Sequence, residues 1–276
     1  MANVAIVHDL AFVNWLVVFS LAAGSAAAAV LGRLFSEATR GYLVFMAVTA
    51  SVLGLVTWLA DGALPPSTDL AVPPDPSFDT VRTTALAAFS GLALAYAVAL
   101  ARGRRAALLG GAVLFAGAVA MVAAAMGWAG GVAAGVPAVV LFLLLAGVGG
   151  GTFAAMVLGH WYLVTPHLGE RALVQATRLL VWLLTLRLIC FGLWTALGTG
   201  PDGRPFGALV GSSAIFVWLL LGIGLVFPLA VMAMANRTAR TRSMESATGL
   251  LYIATAAVLA ATIVAGGLFF GAGLLA

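Results

Sequence analysis

The stretch GHWYLVTPH, residues 159–167, puts His160, Trp161, Tyr162 and His167 within nine positions at the end of a long apolar run. Imidazoles and a phenol donate hydrogen bonds and exchange protons with water. With Arg178 at nearly the same depth on the next helix, they make a candidate site for the carbonyls of a quinone whose isoprenoid tail stays in lipid. A plainer role also fits. Tryptophan and tyrosine collect where a membrane helix meets its interface, and Thr165 before Pro166 is biased out of helix. Metal ligation is the weakest of the three readings, because the nearby acids or cysteines that zinc and copper sites add are missing. A bis-histidine haem would need a third histidine at similar depth, and His8 is expected on the opposite side of the membrane. Haem is therefore disfavoured, although a single haem with a methionine partner stays open.

Arg187 is the one charge placed unmistakably deep in an apolar segment, about 22 Å from its start at 1.5 Å per residue. Insertion scales charge roughly 2.5 to 3.5 kcal/mol for arginine at a helix centre, so it should face protein or a ligand: carbonyls, a bound anion or a polar head group. Counting back along the antiparallel fifth helix places Gly150, within GVGGGT, beside it, where small residues let backbones approach. Arg178 lies some 9 Å from its helix end and can reach the interface along its own stem. A second candidate cluster is HDLAFVNW near the start, where His8 and Trp15 share a helical face and Asn14 is an amide in an apolar run.

These residues need helices to hold them. The 276-residue chain is 63% hydrophobic and 8% charged, too little polar surface for a soluble globule of this size. Eight apolar segments, at about 10–31, 41–60, 83–101, 106–127, 132–164, 172–197, 208–235 and 246–275, mostly reach the ~20 residues that cross hydrocarbon as helix. Alanine, leucine and valine runs without strict alternation argue against a barrel. The expected fold is thus an all-α integral membrane protein of eight transmembrane helices. It is expected as two four-helix halves, residues 1–127 and 132–276, with the break at GWAGG. The first helix is kept as part of the mature protein, because MANVAIVHDL lacks a basic n-region. The single cysteine, Cys190, excludes an intrachain disulfide framework.

All thirteen basic residues are arginine, a bias that fits a GC-rich bacterial genome and suggests the bacterial inner membrane. Arg33, Arg40, Arg102, Arg104, Arg105, Arg171, Arg237, Arg240 and Arg242 fall in odd loops, against Arg82 and Arg204 in even ones. The positive-inside rule then makes odd loops cytoplasmic and both termini external. These charges orient helices, so no nucleic-acid partner is needed to explain them. The loop DGALPPSTDLAVPPDPSFDT reads as an extended outer spacer.

The chain lacks an aspartate-rich prenyl-diphosphate motif, a His-Glu-x-x-His site, a Gly-x-Ser-x-Gly elbow and a P-loop, which argues against independent catalysis as a hydrolase or ATPase. The leading expectation is a membrane subunit of a respiratory or other electron-transfer complex, one that binds quinone and anchors redox partner subunits in the lipid bilayer. Eight helices in two sets is similar in layout to haem-free quinone-handling anchors of molybdenum and iron-sulphur enzymes. The alternatives are a secondary transporter of a small anionic substrate, with Arg187 facing it, and a structural assembly subunit.

Overall fold

A computed structural model describes residues 2–36, 38–65, 70–104, 106–165, 168–200 and 203–276. His167 and the side chain of His8 lie outside the described residues. The first helices are α1 (Ala2–Phe35), α2 (Arg40–Asp61), α3 (Asp79–Ala101) and α4 (Ala107–Trp128). They are followed by α5 (Val132–Val164) and α6 (Arg171–Leu197). A seventh rod, Ala214–Arg240, is built from α7 (Ala214–Leu219), a π-helical run Leu220–Val226 and α8 (Phe227–Arg240), and α9 (Met244–Ala272) completes the set. Eight of these rods are long and apolar enough to cross a membrane, and no strand occurs among the described residues. The protein is an all-helical, multi-pass membrane protein by length and composition.

The rods start and stop where local chemistry dictates. Thr39 caps α2 by accepting the Tyr42 amide on its hydroxyl, and Asp75 accepts the Ser77 amide just before the 3₁₀ turn Pro76–Phe78 that opens α3. Bonding to Ser77 holds the exposed Asp75 carboxyl below the usual carboxylate range. At the end of α6, Gly198 takes φ 68°, and the Thr199 amide returns to the Trp194 carbonyl, so the last carbonyls are satisfied. The seventh rod begins later than the apolar run from about residue 208 suggests. Gly207–Leu209 forms a 3₁₀ turn and helix starts only at Ala214, because Gly207, Gly211, Ser212 and Ser213 are apolar or small without favouring helix.

Packing runs in two closed circuits that share a seam. Helix α1 packs on α2, α2 on α3, α3 on α4 and α4 back on α1, while α5 packs on α6, α6 on α8, α8 on α9 and α9 back on α5. Helices α1, α4, α5 and α9 meet between them, and α5 is the most enclosed rod while α6 is the least. Gly150 is where α5 meets α1: a Cβ there would lie 2.6 Å from the Gly24 Cα and 2.5 Å from the Ser20 carbonyl, so only glycine fits. An aromatic chain fills the rest of the seam, from Phe89 through Phe19 and Trp15 to Trp128, then through Phe12 and Phe270 to Phe269 and Phe142.

The glycine run therefore brings backbones together, but Gly150 serves α1 and not Arg187. A Cβ on Gly147 or Gly151 would meet Leu183 or Leu180 of α6, at 3.3 and 2.9 Å. The two helices are antiparallel, so four residues beyond Leu183 corresponds to four before Gly147, and Arg187 sits level with residue 143 or so. Equal counting from the connecting turn fails because α5 and α6 are not symmetric about it.

Candidate functional site

Position along α5 decides which of the candidate residues meet. His160 and Tyr162 are two residues apart, about 200° around the helix, and they face opposite ways. His160 is exposed. Tyr162 is buried, its hydroxyl donating to the Gly169 carbonyl at 2.6 Å and accepting the Leu173 amide at 3.4 Å. Tyr162 thereby fastens the turn between α5 and α6. Trp161 leans on α2, with ring contacts to Tyr42 and Phe45 at 6.3 Å each. Arg178 is exposed, while its neighbour Thr177 turns inward and accepts the Asn236 amide of α8 at 2.8 Å. Among the described residues, His160, Tyr162 and Arg178 do not converge on one face.

An open recess of about 900 Å³ does border this end of α5. Tyr162, Leu163 and Leu168 form one wall and Arg242, Ser243 and Glu245 another. Arg242 also reaches Glu170, Nε to Oε2 at 3.3 Å, and both side chains are largely exposed, so this pair contributes little to stability. The recess combines an apolar wall with hydrogen-bond donors and carboxylates, and it opens at the helix ends that carry most of the arginines.

The second cluster is rearranged. Trp15 is buried and Asn14 is exposed on the other face of α1. Trp15 belongs instead to a charged assembly at the opposite end of the molecule. Asp61, the last residue of α2, accepts three hydrogen bonds: from Trp15 Nε1 at 2.9 Å, Arg82 Nε at 2.7 Å and Thr83 Oγ1 at 2.7 Å. Arg82 also donates to Asp79 and lies 5.0 Å over the ring of Trp128. A proline-walled cleft of about 610 Å³ opens onto Asp61, Asp79 and Arg82. Sequence reasoning assigned Asp61 and Arg82 to loop charge alone. A local signal was present: a carboxylate at a helix C-terminus opposes the helix dipole and calls for a cation nearby.

Arg187 is the most isolated charge. It is 1% exposed, and none of its three guanidinium nitrogens finds a hydrogen-bond partner among the described residues. An ion in that position carries a desolvation cost of several kcal/mol that no hydrogen bond among the described residues offsets. The hydroxyls of Ser20, Ser25 and Thr152 are also buried without hydrogen-bond partners among the described residues. No group of three or more histidines, cysteines and acids capable of holding a metal occurs among the described residues.

No protein-family model, curated protein or solved structure matches the chain. Its functional reading therefore rests on its own chemistry.

Proposed function

We propose that this protein is a membrane subunit of an electron-transfer complex, binding quinone at the α5 end and anchoring redox partner subunits. The supporting observation is the recess beside Tyr162. Its leucines suit the ring face and the first isoprene unit, Arg242 and Ser243 can donate to the ring carbonyls, and Glu245 can exchange protons with water. The Tyr162 hydroxyl, already given to Gly169, shapes the wall. His160, turned away from Tyr162, serves as an interfacial residue, and His167 belongs to the same chain stretch. In this reading the two packing circuits are the two halves, residues 1–127 and 132–276. The arginine-rich ends face the cytoplasm of a bacterial inner membrane, with both termini outside. Partner subunits carrying the redox centres would dock on that basic end.

Two measurements test this. The purified protein should bind a short-tailed quinone analogue, and Arg242→Ala together with Ser243→Ala should weaken binding about tenfold or more, as expected for two lost hydrogen bonds of about 1 kcal/mol each. Parental affinity in the double variant would remove the recess from consideration. Orientation is tested by cysteine labelling in a Cys190→Ser background: Ser77→Cys and Ser243→Cys, both at exposed positions, should react with an impermeant thiol reagent from opposite sides. Reaction from one side would overturn the topology.

A further inference from the structure

Arg187 raises a question that the quinone reading does not answer. The stripe Thr177, Leu180, Leu184, Arg187 and Phe191 is the buried face of α6. Leu180 sits against Gly151 of α5, and Thr177 is held by Asn236 of α8, so this face is turned to α5 and the seventh rod. From Thr177 to Arg187 is ten residues. Ten residues back from Asn236 on the antiparallel rod is Val226, the last residue of the π-helical run Leu220–Val226. Arg187 is thus level with the end of a segment whose helix is widened, a feature that recurs at functional sites. On its other side that run is closely applied to α9, where a Cβ on Gly224 would meet Ala261 at 2.8 Å. Its outer face, with Ile223 and Val226 about half exposed, is turned away from the protein.

Among the described residues no acid is hydrogen-bonded to Arg187. In residues 132–276 the acids are Glu170, just before α6, Asp202, between α6 and the seventh rod, and Glu245, in the first turn of α9. Glu170 is with Arg242, and the deep carboxylate of the other half, Asp61, is taken by Arg82, Trp15 and Thr83. Among the described residues, none of the three Arg187 nitrogens has a hydrogen-bond partner, so a countercharge supplied from outside the fold would complete the site.

We propose that Arg187 is the receptor for one monovalent carboxylate with an apolar body. A guanidinium presents a planar fork that a carboxylate fills with two parallel hydrogen bonds. One negative charge neutralises the site, whereas a dianion would leave an excess charge in apolar surroundings. Leu184 and Phe191, one turn to either side of Arg187 on the buried face, favour an aliphatic or aromatic acid over a hydrated one. Arg187 is closed off in this structure, so admission takes a displacement of the seventh rod, and the π-helical run is its irregular segment. The carboxylate comes either from a fatty acid in the bilayer or from a small organic acid in water, and the chemistry at Arg187 is the same. This site is independent of the recess beside Tyr162.

The test uses the full chain, delipidated and returned to zwitterionic nanodiscs. Benzoate and decanoate are the probes, with benzamide, decanol and sulfate as controls at matched ionic strength. A ligand that binds only the folded protein raises its melting temperature, by about 5 °C at a hundredfold excess over Kd for a chain of this size. Benzoate or decanoate should do so while the controls do not. A response to both assigns a soluble acid, and a response to decanoate alone assigns the bilayer. Arg187→Met should lose the response while keeping parental affinity for the quinone analogue. Arg187→Lys, which keeps the charge without the fork, should respond more weakly than the parent. If Arg187→Met cannot be obtained, the parent's discrimination between an acid and its neutral counterpart decides, benzoate against benzamide or decanoate against decanol. Equal response to both acids and their neutral counterparts, an undiminished response in Arg187→Met, or stabilisation only by a co-purified protein partner would overturn the proposal.

Discussion

Arg82 and Arg187 are both deeply buried, at 6% and 1% exposure, on two different helices, and their surroundings are opposite. Around Arg82 stand Asp61, Asp79 and the ring of Trp128, and Asp61 in turn accepts from Trp15 and Thr83. Three helices, α1, α2 and α3, are tied through that one carboxylate. Around Arg187 no hydrogen-bond partner exists among the described residues. A buried charge answered by its own chain fastens helices together. One left unanswered destabilises the isolated fold.

The sharpest way to break this comparison is to remove each guanidinium in turn. Arg82→Met leaves the Asp61 carboxylate, 2% exposed, facing an indole and a hydroxyl without its countercharge. A buried ion stripped of its partner costs about 3–5 kcal/mol, so this variant should melt far below the parent. Adding Asp61→Leu should recover a large part of the loss, because both charges then leave together. Arg187→Met should shift the melting temperature the other way, upward in ligand-free nanodiscs, since it deletes an uncompensated charge and keeps a long apolar stem. Thermal unfolding of the three variants side by side reads the signs. If Arg187→Met falls as far as Arg82→Met, Arg187 is answered within the fold and the contrast disappears.

The contrast was only half legible in the sequence. Apolar runs bounded by arginine, proline and glycine mark eight rods because a helix crossing hydrocarbon must be long and apolar whatever it packs against. The depth of Arg187 follows from the same counting. Its lack of a partner does not, because that depends on which faces α5, α6 and the seventh rod turn toward each other. The Trp15 to Asp61 bond spans 46 residues, and no periodicity within α1 announces it. The opening stretch shows the limit from the other side. Tyr162 and His160 share a sequence neighbourhood, but helical rotation separates them, and the hydroxyl of Tyr162 goes to the backbone of the turn it precedes. The π-helical run was hidden as well, since LLGIGLV reads as ordinary apolar helix.

The smallest expected effect sharpens the comparison within the Arg82 cluster. Asp79 pairs with Arg82 one turn into α3, and its carboxylate is half exposed at the mouth of the proline-walled cleft, while Arg82 and Asp61 are enclosed. Water screens an exposed ion pair, and its contribution is typically below about 1 kcal/mol; the favourable place of Asp79 in the first turn of α3 adds an effect of similar size. Asp79→Ala should therefore lower stability by about 1 kcal/mol or less, and the loss should shrink as salt is added. The loss in Arg82→Met should persist at high salt, because Asp61 is shielded from the solution. Melting curves at low and high ionic strength separate the two. If Asp79→Ala matched Arg82→Met in size and in indifference to salt, the exposed carboxylate would be holding the cluster, and Asp61 would lose its place as the residue that ties α1, α2 and α3.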